Sequence, residues 1–359
     1  MKSVQSSRMR AVRDQVDLGP ETALLLSNRP DITWCSGFTG SNGCLVFLEE
    51  HTVLITDGRY ETQATLECPD LRIEISPGDA FQSAAEWLSH HAVAVVLVQS
   101  DHVTWSNQRH LEHRLPHVDI QPLTDPLPDL RAIKTTEEVG YIKRALQITE
   151  DTFGRIVDGL QEGVTELEVA AEIDYLQRLS GAFGPAFDTI VAFSERAALP
   201  HARPTDRALR KGDIILLDYG CVINGYHSDM TRMIAFGRAD KPFLDAYAAV
   251  QHALDASMEH ASAGVQGVGL DAVARDVLTR HGYGNRFTHS LGHGVGLEIH
   301  EYPSVSMRNP KPLPEAGVIT LEPGVYLPGS FGIRIENMVQ LHSSGCDVFN
   351  ALDTNLTLA

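Results

Sequence analysis

Residues 213–236 place the tightest constraint on the fold. DIILLDYG (213–220) is apolar enough to be a strand buried on both faces, with a carboxylate near its end. Asn224-Gly225 follows, the strongest short hairpin signal, because both turn positions need a positive φ. Residues 226–236 then return as the second strand. A two-residue turn sets Ile223 opposite Tyr226, so Gly220 faces Asp229 and Asp218 lies diagonal to Asp229 on one face. Diagonal Cβ atoms are roughly 7–8 Å apart or somewhat less, a spacing from which two carboxylates can reach one or two cations. Either aspartate alone would be read as ending or solvating a strand. Both on one face, beside a buried strand, point to metal.

Three more segments supply residues of the same chemistry. FTHSLGHGVGLEIH (287–300) sets His289 and His293 four apart, on a shared face in helix or strand, with His300 close behind. Gly292, Gly294 and Gly296 surround His293 and predict close backbone approach and unusual dihedrals. The spacing is not GxGxxG and no βαβ unit surrounds it, so the segment is not a dinucleotide fingerprint. VITLE (318–322) ends at Pro323-Gly324, which puts Glu322 at the mouth of a strand. IRIENMV (333–339) alternates, with Ile333 and Ile335 on one face and Arg334 and Glu336 on the other. By themselves Arg334 and Glu336 would be a surface pair on an edge strand. A carboxylate among apolar residues is costly to bury unless it is paired or ligates a metal. The candidate ligands are therefore Asp218, Asp229, His293, Glu322 and Glu336. Four carboxylates and one imidazole suit a pair of divalent cations, Mn²⁺ first, with Co²⁺ or Zn²⁺ as alternatives. Two metals sharing carboxylates can activate a water, so the reaction class is metal-assisted hydrolysis.

At 359 residues the chain favours two domains. Residues 22–123 alternate short strands (45–47, 53–55, 93–98) with helical stretches (59–66, 80–91). TDPLPDL (124–130) has two prolines and reads as an extended linker, giving an N-terminal α/β domain over 1–128 and a second, α+β domain over 129–359. Thr135 and Glu138, then Thr165 and Glu168, have capping-box spacing ahead of two amphipathic helices. Further helices are expected around 242–260 and 270–280. The net charge of −18, with no basic stretch to offset it, argues against nucleic acid or an anionic membrane as partner. The longest apolar run, 92–98, is too short to span a bilayer, and residues 1–17 lack a signal-peptide core. Five cysteines without paired spacing suggest a reducing, cytoplasmic setting.

Taken together, LPHARP (199–204), LLDYG (216–220), GYHSDMTR (225–232), THSLGHGVGLEIHEYP (288–303), TLEPGVYLPG (320–329) and GIRIEN (332–337) resemble the signature blocks of a known family. These are the proline-specific metallopeptidases of the methionine aminopeptidase–creatinase superfamily, aminopeptidase P and prolidase. The likeness covers roughly 131–342, and WCSGFTGSNG and TDGRYETQA resemble the family's smaller, creatinase-like N-terminal domain. The resemblance implies a pseudo-symmetric pita-bread catalytic domain around a dinuclear centre. In it Asp218 is a terminal ligand, Asp229 and Glu336 bridge, and His293 and Glu322 complete the second metal. His201, His289 and His300 match histidines that contact substrate, and Arg334 matches an arginine beside the last ligand. It also implies hydrolysis of Xaa-Pro bonds by a metal-bridging water, peptide substrates with proline in second position, and a homodimer. Proline's missing N–H and fixed φ defeat many peptidases that hold substrate as a strand, whereas polarising the carbonyl avoids that difficulty. Glu322 is the candidate proton shuttle, and His289 and His300 are candidate donors to the oxyanion.

Within the resemblance, some bacterial prolidases carry charged residues just after the GF of the N-terminal domain, which help restrict them to dipeptides. Here residues 39–43 are the uncharged TGSNG, which favours aminopeptidase P over the dipeptidase. Three positions depart from the common pattern. AFSER (192–196) replaces a turn with glycine and asparagine, His227 stands where a small residue or cysteine is frequent, and Asn337 stands where aspartate is common. His227 is read as structural. Methionine aminopeptidase, a metal-free creatinase-type enzyme and a catalytically silent protein on the same fold are the alternatives. The intact ligand set argues against the last two.

Overall fold

The computed structural model describes residues 4–359. They divide into two compact units, one ending at Leu130 and the other running from Arg131 to Ala359. The first unit is a six-stranded mixed sheet. Its strands β1 (Thr22–Leu26), β2 (Gly43–Phe47), β3 (Thr52–Asp57), β4 (Arg72–Ser76), β5 (Val95–Val98) and β6 (Asp119–Pro122) stand in the order β4-β3-β2-β1-β5-β6. β1, β2 and β3 pair antiparallel, while β4, β5 and β6 add in parallel. Parallel neighbours need crossovers, and helices Glu61–Glu67 and Trp105–Arg114 supply those into β4 and β6. Helix Ala80–Ser89 packs Phe81, Ala84 and Leu88 onto Val46, Ile55 and Val96. The stretch 124–130 is not fully extended. Leu127–Ala132 is a short helix, because Pro128 falls in its first turn, where a missing N–H costs nothing, and the Asp125 carboxylate accepts from Leu127 N–H at 2.9 Å.

In the second unit, β7 (Ile190–Phe193), β8 (Ile214–Tyr219), β9 (Val222–Ile223), β10 (Tyr226–His227) and β11 (Met230–Ala235) come from the first half. β12 (Gly292–Gly294), β13 (Glu301–Val305), β14 (Val318–Leu321), β15 (Gly324–Leu327), β16 (Phe331–Arg334), β17 (Asn337–His342), β18 (Gly345–Val348) and β19 (Thr357–Leu358) follow. The main sheets run β19-β11-β8-β7 and β13-β12-β14-β17-β18.

Why DIILLDYG is apolar without alternation is visible in the packing. Ile214 and Leu216 of β8 face one core, with Ile190, Ala192 and Met233, against helices Lys241–His260 and Gly267–Arg280. Ile215, Leu217 and Tyr219 face another, with Val191, Phe193 and Ile234, against helices Thr136–Gly159 and Glu166–Leu179. β7, β8 and β11 are thus covered on both faces, each face by a helix pair. Both expected capping boxes form, Thr135 with Glu138 and Thr165 with Glu168. The hairpin turns at Asn224 (φ 49°) and Gly225 (φ 83°), with Ile223 opposite Tyr226. The same register carries through β8 and β11, where Tyr219 faces Met230 and Asp218 faces Thr231.

Candidate metal centre

Four of the five candidate ligands lie at strand ends or in the short breaks between strands, and His293 lies within one. Asp218 is the penultimate residue of β8, and Asp229 immediately precedes β11. Glu322 follows β14, its N–H bonded to Leu291 O at 2.8 Å. Glu336 occupies the break between β16 and β17, its N–H on Thr231 O at 3.3 Å. Asp218, Asp229 and Glu336 offer oxygens that all lie within 4.8 Å of one another. His293, in the middle of the short β12, places Nε2 at 3.7 Å from Asp229 Oδ2 and 3.5 Å from Glu322 Oε1. The five residues therefore converge on one point of the second unit.

Three observations fit divalent cations to this cluster. Asp218 Oδ1 and Glu336 Oε1 are buried oxygens with no hydrogen-bond partner. Burial first, and neighbouring carboxylates second, push the carboxyls of Asp229 and Glu322 well up and that of Glu336 to about 8. Arg334 alone cannot neutralise four carboxylates, so further positive charge is needed for all of them to ionise. Third, His293 Nδ1 lies 3.1 Å from Gly294 O, which fixes the proton there and leaves the Nε2 lone pair facing Asp229 and Glu322. Burial also lowers the His293 pKa to about 4, so the ring is neutral.

Arg334 and Glu336 are not a surface pair. They are 3% and 1% exposed, and Arg334 reaches past Glu336 to the other ligands. Its Nη2 donates to Asp218 Oδ2, its Nε lies 3.9 Å from Glu322 Oε2, and Nε donates to Thr231 Oγ1 at 3.1 Å. Thr231 in turn donates to Glu336 Oε2 at 2.9 Å. Thr231 was absent from the sequence-derived set, although the hairpin register puts it directly opposite Asp218.

The histidines separate. His289 does not join His293. Its Nδ1 bonds Ser290 O at 2.8 Å and its Nε2 the Tyr326 hydroxyl at 2.8 Å. Tyr326, also absent from that set, accepts from Arg334 Nη1 at 2.6 Å. The chain of bonds is thus Arg334 to Tyr326 to His289, and burial holds the His289 pKa down to about 3. His300 sets its ring 4.3 Å from that of His293, centroid to centroid. His201 is itself exposed, on the loop after β7. His227 bonds Gly296 O through Nδ1 at 3.0 Å, which suits the structural role read from the sequence.

The glycines around His293 serve close approach, not dihedral freedom, since none of the three has a positive φ. A Cβ on Gly292 would stand 1.9 Å from Thr320 O, and one on Gly294 2.5 Å from Tyr302 O.

The pattern of metallopeptidase family M24 matches residues 140–343, and that of the creatinase/prolidase N-terminal domain matches residues 8–133. The chain belongs to metallopeptidase family M24. Its architecture is the mixed α/β one expected, a creatinase-type domain followed by a pita-bread domain. An Xaa-Pro dipeptidase of Pyrococcus furiosus is 35% identical over 298 residues, 81% of this chain and 85% of that one. The solved structure of an Xaa-Pro dipeptidase from Bacillus anthracis superposes with a TM-score of 0.93 at 32% identity, covering 99% of both chains. That of an X-Pro aminopeptidase from Thermotoga maritima gives 0.90 at 35%, covering 97% of this chain and 100% of the other. Among the described residues, no helix is long and apolar enough to cross a membrane.

Proposed function

We propose that this metallopeptidase is an Xaa-Pro dipeptidase. The observation that carries a metal-dependent hydrolase is the convergence of Asp218, Asp229, His293, Glu322 and Glu336, with two buried carboxylate oxygens lacking any donor. The specific activity rests on the relatives, since the Pyrococcus furiosus and Bacillus anthracis proteins are both Xaa-Pro dipeptidases. The uncharged stretch 39–43 favoured aminopeptidase P, but it does not lie among uncharged neighbours. Glu67 accepts from Thr39 N–H at 2.8 Å and from its hydroxyl at 2.7 Å, and Arg29 donates to Thr39 O at 3.0 Å. Aminopeptidase P remains the second reading, favoured by the likeness to the Thermotoga maritima X-Pro aminopeptidase.

In this reading residues 1–128 are the creatinase-like domain and 129–359 the catalytic one. The five ligands would hold two divalent cations, Mn²⁺ first, which when bound supply carbonyl polarisation and an acidified water. Glu322 takes the proton of the attacking water and passes it to the leaving prolyl nitrogen. His300 donates to the developing oxyanion. His289, with both nitrogens engaged, orders Tyr326 and through it Arg334, and His201 contacts substrate from its loop. A homodimer and a cytoplasmic setting belong to the same proposal, the latter in keeping with five free cysteines. The deciding experiment is mass spectrometry of an equimolar mixture of Ala-Pro and Ala-Pro-Ala with Mn²⁺-loaded protein. Loss of Ala-Pro alone supports the dipeptidase. Release of Pro-Ala from the tripeptide makes it an aminopeptidase, and no loss of either overturns the Xaa-Pro reading.

A further inference from the structure

The loop that carries His201 is held from outside the ligand set. It leaves β7 at Phe193 and is tied back at Thr205. Glu166, the first residue of helix Glu166–Leu179, is 0% exposed and joins these two ends. Its Oε1 accepts from Phe193 N–H at 2.9 Å, and its Oε2 accepts from Thr205 N–H at 2.9 Å and the Thr205 hydroxyl at 2.7 Å. Arg196 Nε donates to both oxygens, at 3.0 and 2.8 Å, and Arg196 Nη2 donates to Arg203 O at 2.6 Å. One carboxylate therefore binds the start, the middle and the end of the loop. The helix does not need it as a cap, because Thr165 and Glu168 already form the capping box.

Two further contacts fix the apex. A Cβ on Gly332 of β16 would stand 1.8 Å from Ala197 O, so the loop lies directly on the strand backbone. Pro200 O, next to His201, accepts at 3.2 Å from Nη1 of Arg334, the guanidinium that also holds Asp218. The loop opens on Ser194, a non-glycine residue at φ 47°, in the segment where the sequence departs from the common family turn. Such a conformation is strained and persists only where the surroundings determine it. Here the Ser194 hydroxyl donates to Asp213 at 2.8 Å and accepts from Ile214 N–H at 3.2 Å.

We propose that Glu166, assisted by Arg196, is the positioning residue for His201, setting where that imidazole stands by fixing both ends of its loop. The assignment rests on the reading of His201 as a substrate contact. If Glu166 only stabilised the fold, its loss would weaken catalysis whether or not His201 were present. If it acts through His201, its loss matters only while His201 is there.

The test is a double-mutant cycle of Glu166→Gln and His201→Ala on the Mn²⁺-loaded full chain. It measures kcat and KM for Ala-Pro and hydrogen exchange of the backbone amides. Glu166→Gln is expected to keep its metal content and lower kcat/KM about tenfold, a cost in keeping with a small misplacement of a contact group. On the His201→Ala background the same change is expected to cost less than about twofold. Exchange across 193–205 should quicken about tenfold while 215–220 is unchanged. Equal losses on both backgrounds, or unchanged exchange, would overturn the proposal. Should Glu166→Gln not fold, Arg196→Met releases only the middle of the loop, and the same cycle decides. If the wild-type chain cleaves no Xaa-Pro substrate, the functional reading falls. The exchange comparison then still decides whether Glu166 holds the loop.

Discussion

Tyr326 orders two groups with one hydroxyl. Its O–H donates a hydrogen bond to His289 Nε2, and its oxygen accepts one from Arg334 Nη1. Tyr326→Phe would leave both partners buried and short of a bond, at about 1–1.5 kcal/mol, or roughly tenfold in kcat/KM. Steady-state kinetics on Ala-Pro at fixed metal would check this, and an unchanged kcat/KM would remove Tyr326 from the site. Asp229→Ala or Glu336→Ala should abolish both metal binding and turnover, read by elemental analysis and by activity, and full activity in either would sink the dinuclear reading. At this scale the carboxylate cluster was legible because a carboxylate that ends a buried strand must find a positive charge nearby, and the sequence offers no lysine or arginine beside Asp218. Tyr326 was not legible, because an aromatic on a strand is ordinarily core. Thr231 was within reach, since the hairpin register that paired the aspartates also sets it opposite Asp218. The direction of Arg334 toward Asp218 is a matter of side-chain path between sheets, which strand alternation does not encode.

Among the elements, the hairpin was readable in full, turn and register together, because Asn-Gly admits few geometries. The short helix Leu127–Ala132 was not, since two prolines look like an extended linker unless one of them falls in a first helical turn. The glycines beside His293 were visible, but their reason was close packing in place of special dihedrals. Gly292→Ala would push the strand off Thr320 O and carry His293 with it, so the variant is expected to bind fewer metal equivalents than wild type in an equilibrium titration. The loop after β7 gives a pH test. Burial raises the Asp213 carboxyl, but Arg207 at 2.7 and 2.8 Å, Ser194 and the Arg210 N–H outweigh it and hold it below its ordinary value. A depressed carboxyl stabilises the fold above its unfolded value, near pH ~4, and that share is lost as pH falls through the folded value. Asp213→Asn should therefore melt lower near neutrality and lose less on acidification. A melting profile with the wild-type acid slope would contradict this.

For the whole molecule, the sequence pointed to an N-terminal α/β part and a later β-rich part, and each unit has its own buried core. The stretch 39–43 is uncharged itself, but charge reaches it from Arg29 and Glu67 on neighbouring helices, which no local window reveals. Cations that bind only the folded chain stabilise it by mass action, by about 2.7 kcal/mol at a hundredfold excess over Kd. Chelation is accordingly expected to lower the melting temperature of the wild type by several degrees, and that of Glu336→Gln by much less. Equal shifts in both would place the stabilising metal elsewhere. The strands β7, β8 and β11 beside the centre are packed under a helix pair on each side. The paired strands that carry the centre cannot soften one by one while both helix layers stay packed on them. Heat inactivation of such an enzyme would be the loss of the fold itself, with one midpoint for both. Hardening the helix packing would then lengthen its working life without slowing the loops that meet the peptide.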